Sequence, residues 1–286
     1  MFEVFAFTHS KRRQVAGGFK TMTFQPIIPS GGLTGWRYLN QTIDRQLDAF
    51  TASPLNQRDT DYFSKQISSI QSAEELVADR RLLRVALGAF GLQDDINSKA
   101  FIQKVLEGGT DDPRSLANRL ADDRYTEFAR AFGFGNITGA ETSKSDFAQK
   151  IVERFSASQF EVAVGDQDES MRLALNAKRE LADIASRNST EDTKWFLVLG
   201  TPPLRAVFEK ALALPTSFGQ IDIEKQLETI KDLSSRRLGI ESINDFKNEE
   251  TTERFVERFL LQAQIADFSA SFSSTSVALT LLQGAG

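Results

Sequence analysis

The stretch Asp79–Gly135, DRRLLRVALGAFGLQDDINSKAFIQKVLEGGTDDPRSLANRLADDRYTEFARAFGFG, decides the fold. Leu82, Leu83, Val85, Ala86, Leu87 and Phe90 leave almost no polar face, which predicts a helix central to a lobe. Gly91 ends it, and Asp94-Asp95 stand at the positive end of the next helix. There Phe101 pairs with Val105 and Ile102 with Leu106, one helical turn apart, before Gly108-Gly109 stops the chain. Asp112-Pro113 reads as an N-cap and first helical residue, with Leu116 and Leu120 one turn apart. Tyr125, Phe128 and Phe132 form a last stripe closed by Gly133 and Gly135. Four short helices with a turn signal at each junction carry almost no chemistry.

Composition narrows the function further. The 286 residues contain no cysteine, which excludes disulfides, thiol nucleophiles and cysteine-ligated metal. The single histidine, His9, leaves no room for triads or His-rich metal sites. Any catalysis would rest on carboxylates, lysine, tyrosine or serine, so a non-enzymatic protein without catalytic residues, cofactor or metal is expected. A net charge of −5 with both signs interspersed gives no general attraction to nucleic acid or anionic lipid. No apolar run reaches the length of a membrane span, so no insertion is expected. These balances imply a cytoplasmic protein.

Outward from the opening stretch, the pattern stays helical. Residues 1–35 read as a flexible leader, in which 1–21 is a candidate start-site artefact because Met22 opens a more ordinary run. A first lobe is expected over 36–139. It opens with Trp36, Leu39, Ile43, Leu47 and Phe50 on one helix face, then a start at Ser53-Pro54 and a capping box from Ser72 and Glu75. From 143 to 188 the apolar positions Phe147, Ile151, Phe155, Val162, Leu173, Ala177, Leu181 and Ile184 predict a connecting helix. It would be roughly 60–65 Å long, and the alternative is a break at Gly165 giving two antiparallel helices. A second lobe follows over 189–268. The expected architecture is all-α, elongated and two-lobed, joined by a long helix, with flexible termini.

Candidate chemistry is thin. The pairs Asp94-Asp95, Asp111-Asp112 and Asp122-Asp123 each sit at a helix junction, where capping explains them better than a cation site. Asp166, Asp168 and Glu169 read as a solvated helix face. Leu83-Arg84 recurs as Leu204-Arg205, and Ile102-x-Lys104-x-Leu106-Glu107 as Ile223-x-Lys225-x-Leu227-Glu228, both at an offset of 121 residues. Coincidence and an ancient duplication both account for that echo.

The tail 269–286 completes a charge-free run from Phe268 to Gly286, FSASFSSTSVALTLLQGAG. An uncharged apolar tail is an aggregation liability unless covered. Phe268, Phe272, Val277, Leu279, Leu281 and Leu282 are therefore the candidate partner-binding residues.

The runs RRLLRVALGAFGL, KAFIQKVLEGG, SLANRLADDRY and AFGFG, with the later PLRAVFEKALALPTSFGQIDIEKQLE and ERFVERFLLQAQ, resemble a bacterial domain-of-unknown-function family often found near flagellar genes. The resemblance spans Gly35 to Gln264. It implies an all-helical protein of no known activity, a protein partner in a flagellar context, and flagellum association as the alternative location. The expected function is a structural or accessory role through protein–protein interaction. A carboxylate-dependent enzyme and a helical small-molecule-binding module are the alternatives.

Overall fold

The computed structural model describes residues 24–271, and these form an all-α fold. In chain order come α1 (Gly32–Thr51), α2 (Pro54–Gln66), α3 (Ala73–Ala78), α4 (Arg80–Ala89), α5 (Lys99–Gly108), α6 (Leu116–Arg119) and α7 (Asp123–Phe132). Next are α8 (Phe147–Gly165) and α9 (Glu169–Ser186), followed by α10 (Glu191–Gly200), α11 (Pro202–Ala211), α12 (Ile223–Leu238) and α13 (Glu249–Ser271).

Local chemistry explains most of these bounds. Ser72 Oγ accepts from the Glu75 amide at 3.2 Å, and Glu75 reaches back to the amide of Gln71, one residue before the cap. Asp79 Oδ1 caps α4, accepting from the amides of Arg81 (2.8 Å) and Leu82 (3.1 Å). Gly133 and Gly239 close α7 and α12 in the left-handed conformation, at φ 69° and 67°. Asp112-Pro113 behaves otherwise: residues 111–115 form turns, and Ser115, not Asp112, caps the four-residue α6. The Asp112 carboxylate holds the Arg114 amide at 2.8 Å and so stabilises the turn itself.

The long helix expected over 143–188 is two helices. α8 stops at Gly165, and Asp168 turns to an extended conformation and caps α9 by accepting from the Met171 amide at 3.0 Å. The two run antiparallel, since Glu161 meets Arg179 while Arg154 meets Glu180. Asp168 is thus a cap and not part of a solvated helix face.

Two main apolar cores result. One gathers Phe63, Leu76, Leu83, Leu87, Phe128 and Phe132. The other gathers Trp195, Phe208, Phe255 and Phe259 with α9 and, against chain order, Trp36, Leu39 and Phe50 of α1. The helix expected to open the first lobe therefore packs in the second core. It lies antiparallel to α13, where the buried Trp36 indole donates to Glu253 at 2.5 Å and Arg37 pairs with Glu257 at 3.2 Å. α8 joins the cores: Phe147, Ile151 and Phe155 belong to one, Phe160 and Val164 to the other. Its crossing with α4 is close because Gly88 lacks a Cβ, which would stand 2.8 Å from the Phe155 ring.

The leader expected over 1–35 differs where it is described. Phe24 packs edge-on against Phe50, with centroids 6.2 Å apart, and the Ile27 amide donates to Gln46 at 2.7 Å. Gly32 and Gly35 are helical and buried, so a docked strap precedes α1. The candidate start-site artefact, residues 1–21, lies outside the described residues.

The 121-residue echo extends to elements. Shifted by that offset, α3 falls within α10 and α4 falls one residue short of α11. The 3-10 turn Gln93–Asn97 likewise overlaps the one at Thr216–Gln220, and α5 overlaps α12. α3 packs on α4 and α5 as α10 packs on α11 and α12. A shared order and a shared pairing favour duplication over coincidence.

Candidate functional site

α13 carries the only described member of the expected partner-binding set. Phe268 is 66% exposed on it, while Phe272, Val277, Leu279, Leu281 and Leu282 lie outside the described residues. The helix buries Thr252, Phe255, Val256, Phe259, Leu260 and Ala263. Beyond Ala263 the residues from Gln264 to Ser269 are all exposed, yet the helix runs on to Ser271. About two turns, roughly 12 Å, thus extend past the buried part of the helix. Leu261, Ile265 and Phe268 fall at four- and three-residue spacing, so they share one outward stripe, at 40%, 50% and 66% exposure.

A second feature was not legible as a site in the sequence. A cleft of about 570 Å³ opens where α8 and α9 meet the start of α7, the loop after α4 and the α10–α11 junction. Its floor is a charge network. Glu161, 6% exposed, is gripped by Arg179 through two bonds, Nε to Oε1 at 2.6 Å and a terminal nitrogen to Oε2 at 3.0 Å. Asn176 adds a third bond to Glu161 at 3.1 Å. Arg179 also donates to Glu180 at 2.6 Å, and Glu180 takes Arg154 at 3.3 Å. Burial pulls the Arg179 pKa down, but Glu161 and Glu180 outweigh it and hold the group above its ordinary value. Arg154 further donates to the Ala89 carbonyl at 2.9 Å and stacks over the Phe90 ring at 4.5 Å, fixing α8 to the end of α4.

On the opposite wall, Arg187 reaches from the end of α9 to Glu127 of α7 at 2.8 Å, and Arg130 binds the same carboxylate oxygen at 2.6 Å. Asp123, one turn earlier on α7, has no hydrogen bond or ion pair within the described residues. Its carboxylate lies against Gly200, whose missing Cβ would fall 2.1 Å from Oδ2. Burial, then the nearby Glu127 and Asp122, push its pKa up to about 6.

The three Asp-Asp pairs separate in role. Asp122 caps α7 by accepting from the Arg124 amide, Asp95 accepts from the Tyr125 hydroxyl at 2.6 Å, and Asp111 accepts from the Ile137 amide at 2.7 Å. Asp112 holds its turn, while Asp94 and Asp123 face the cleft. A signal for Asp123 was present, because one helix start has one N-cap position and the second carboxylate of the pair is surplus. Glu161 had a signal too: it lies two heptads after Phe147, on the buried side of α8. Among the described residues no three His, Cys, Asp or Glu side chains are grouped to hold a metal ion. No described helix is long and apolar enough to cross a membrane.

The profile of the family described as "Protein of unknown function (DUF1217)" matches residues 89–251. The chain belongs to this family. The DUF1217 segment runs from the end of α4 into the first turn of α13 and contains every residue lining the cleft. It excludes α1–α3 and the exposed end of α13, and is narrower than the Gly35–Gln264 span over which the resemblance was read. A crystal structure of an Agrobacterium tumefaciens protein, solved as a structural-genomics target, is similar, with 28% identity and a TM-score of 0.69. The match covers 85% of this chain and 99% of that one, so the similarity extends well outside the DUF1217 segment. No curated protein matches the chain.

Proposed function

We infer that the protein is a non-enzymatic structural or accessory component that works by docking a protein partner on the exposed end of α13 and the charge-free residues after it. The observation that carries this reading is the outward stripe of Leu261, Ile265 and Phe268 on helical turns beyond the last buried residue, Ala263. Short helices are marginal in water without tertiary support, so these turns gain from a partner that buries their apolar face. The pattern continues in sequence at Phe272, four residues on, and then at Val277, Leu279, Leu281 and Leu282.

The flagellar context follows from the resemblance alone. It is tested by deleting the gene and scoring flagellar assembly and motility, where normal motility removes that context. The docking role is tested by comparing bound partners and oligomeric state of the full chain with those of a chain ending at residue 268. Loss of a partner or of an assembly is expected; identical partners and an unchanged oligomeric state would refute the role.

A further inference from the structure

The outward stripe on α13 has a definite period. Leu261, Ile265 and Phe268 are spaced by four and then three residues, and the sequence keeps that alternation at Phe272, Thr275, Leu279 and Leu282. Six of these seven positions are apolar over three heptads, the repeat of a coiled-coil seam at about 3.5 residues per step. The buried face of the same helix is different. Thr252, Phe255, Val256, Phe259, Leu260 and Ala263 fall largely in adjacent pairs, the broad stripe of a helix set into a globular core. Leu261 stands two residues from both Phe259 and Ala263, roughly 200° around the helix, so the two faces lie back to back. α13 therefore carries a wide face for its own core and a narrow one that fits a single further helix.

The residues flanking the narrow seam select its occupant. Gln262, Gln264, Ser269, Ser271, Ser276 and Ala278 take the positions on either side, and none is charged. Coiled coils choose a foreign helix through opposite charges at those positions and reject a like copy through equal ones. Neither device is present here. The only charged side chain between Phe259 and Gly286 is Asp267, which lies off the seam in a groove beside Gly31 and Gly32. An identical seam thus meets matching spacing and no repulsion. We propose that the partner of α13 is a second copy of this chain, joined by an antiparallel two-stranded coiled coil over residues 261–282 of each copy. The inference rests on the docking role given to α13 above and names what docks. Direction follows from charge as well. In phase with the seam but before it stand Arg254 and Arg258, both exposed. Two copies running the same way would set each arginine against its own counterpart. Run in opposite ways, Ile265 faces Leu282, Phe268 faces Leu279 and Phe272 faces Thr275, with the arginines and the two bodies at opposite ends. Each strand of the pair is about 33 Å long.

Sedimentation of the full chain by itself tests this, and a concentration-dependent dimer is expected. Leu279→Asp/Leu282→Asp, on the seam, should raise the dimer dissociation constant about a hundredfold or more. Val277→Asp/Leu281→Asp, equally apolar but off the seam, should change it by less than about threefold. Because the natural chain has no cysteine, introduced thiols report direction. Ile265→Cys/Leu282→Cys should form a disulfide-linked dimer on oxidation, and Ile265→Cys alone should not. Equal weakening by the two aspartate pairs would overturn the seam, and a linked dimer from Ile265→Cys alone would overturn the antiparallel arrangement. A chain that is monomeric throughout, yet loses a different protein when it ends at residue 268, would overturn this inference and leave the docking role standing. A monomeric chain with unchanged partners would refute both.

Discussion

Asp123 is a carboxylate held in the fold without a donor, and that gives its titration a definite sign. Its folded pKa of about 6 stands above the ordinary 3.8, so the folded chain binds the proton more tightly than the unfolded one. The group favours folding most at low pH. Its contribution falls as pH rises from about 4 to about 6 and then stays level. Asp123→Asn should therefore raise stability at neutral pH by on the order of 1–2 kcal/mol, after allowance for partial exposure and the lost first-turn charge, and give no gain near pH 4. Urea denaturation at the two pH values checks this. Glu161 is the opposite case, a buried carboxylate that is fully engaged. Glu161→Gln leaves Arg179 with a broken pair and should cost about 3 kcal/mol, whereas adding Arg179→Met should recover part of that loss. Both roles were hidden for one reason: an acidic residue at a helix start, or among apolar neighbours on a helix, has the same local pattern whether its partner is a backbone amide, a distant arginine or nothing.

At the scale of elements, much of the fold was legible because its punctuation is local. The caps at Ser72 and Asp122 and the stops at Gly91, Gly109, Gly133 and Gly239 act within a few residues of themselves. The break between α8 and α9 was harder to read. Val162 and Leu173 are eleven residues apart, which is close to three helical turns, so the apolar stripe keeps its phase across the turn. What ends α8 is the start signal of the next helix, the Asp168 cap with Glu169 behind it. Asp168→Ala should cost about 1 kcal/mol, read by thermal or urea denaturation. Gly88→Ala should cost about 1–3 kcal/mol, because its Cβ would meet the Phe155 ring at the α4–α8 crossing.

Across the whole molecule, the two main cores do not follow chain order. α1 packs with α9 and α13, and α8 contributes to both cores. Periodicity showed that α1 has an apolar face, but not which core that face would meet, since a contact between Trp36 and Glu253 spans 217 residues. Native-state hydrogen exchange should show α1 amides opening with those of α13 and not with those of α2–α7. The same long-range packing leaves the end of α13 beyond the buried face, and that geometry carries the functional reading. The most direct test is the double variant Ile265→Asp/Phe268→Asp, compared with the natural chain for bound partners and for oligomeric state by sedimentation. The account predicts unchanged helicity with loss of a partner or of self-association. An unchanged partner set together with an unchanged oligomeric state would contradict it.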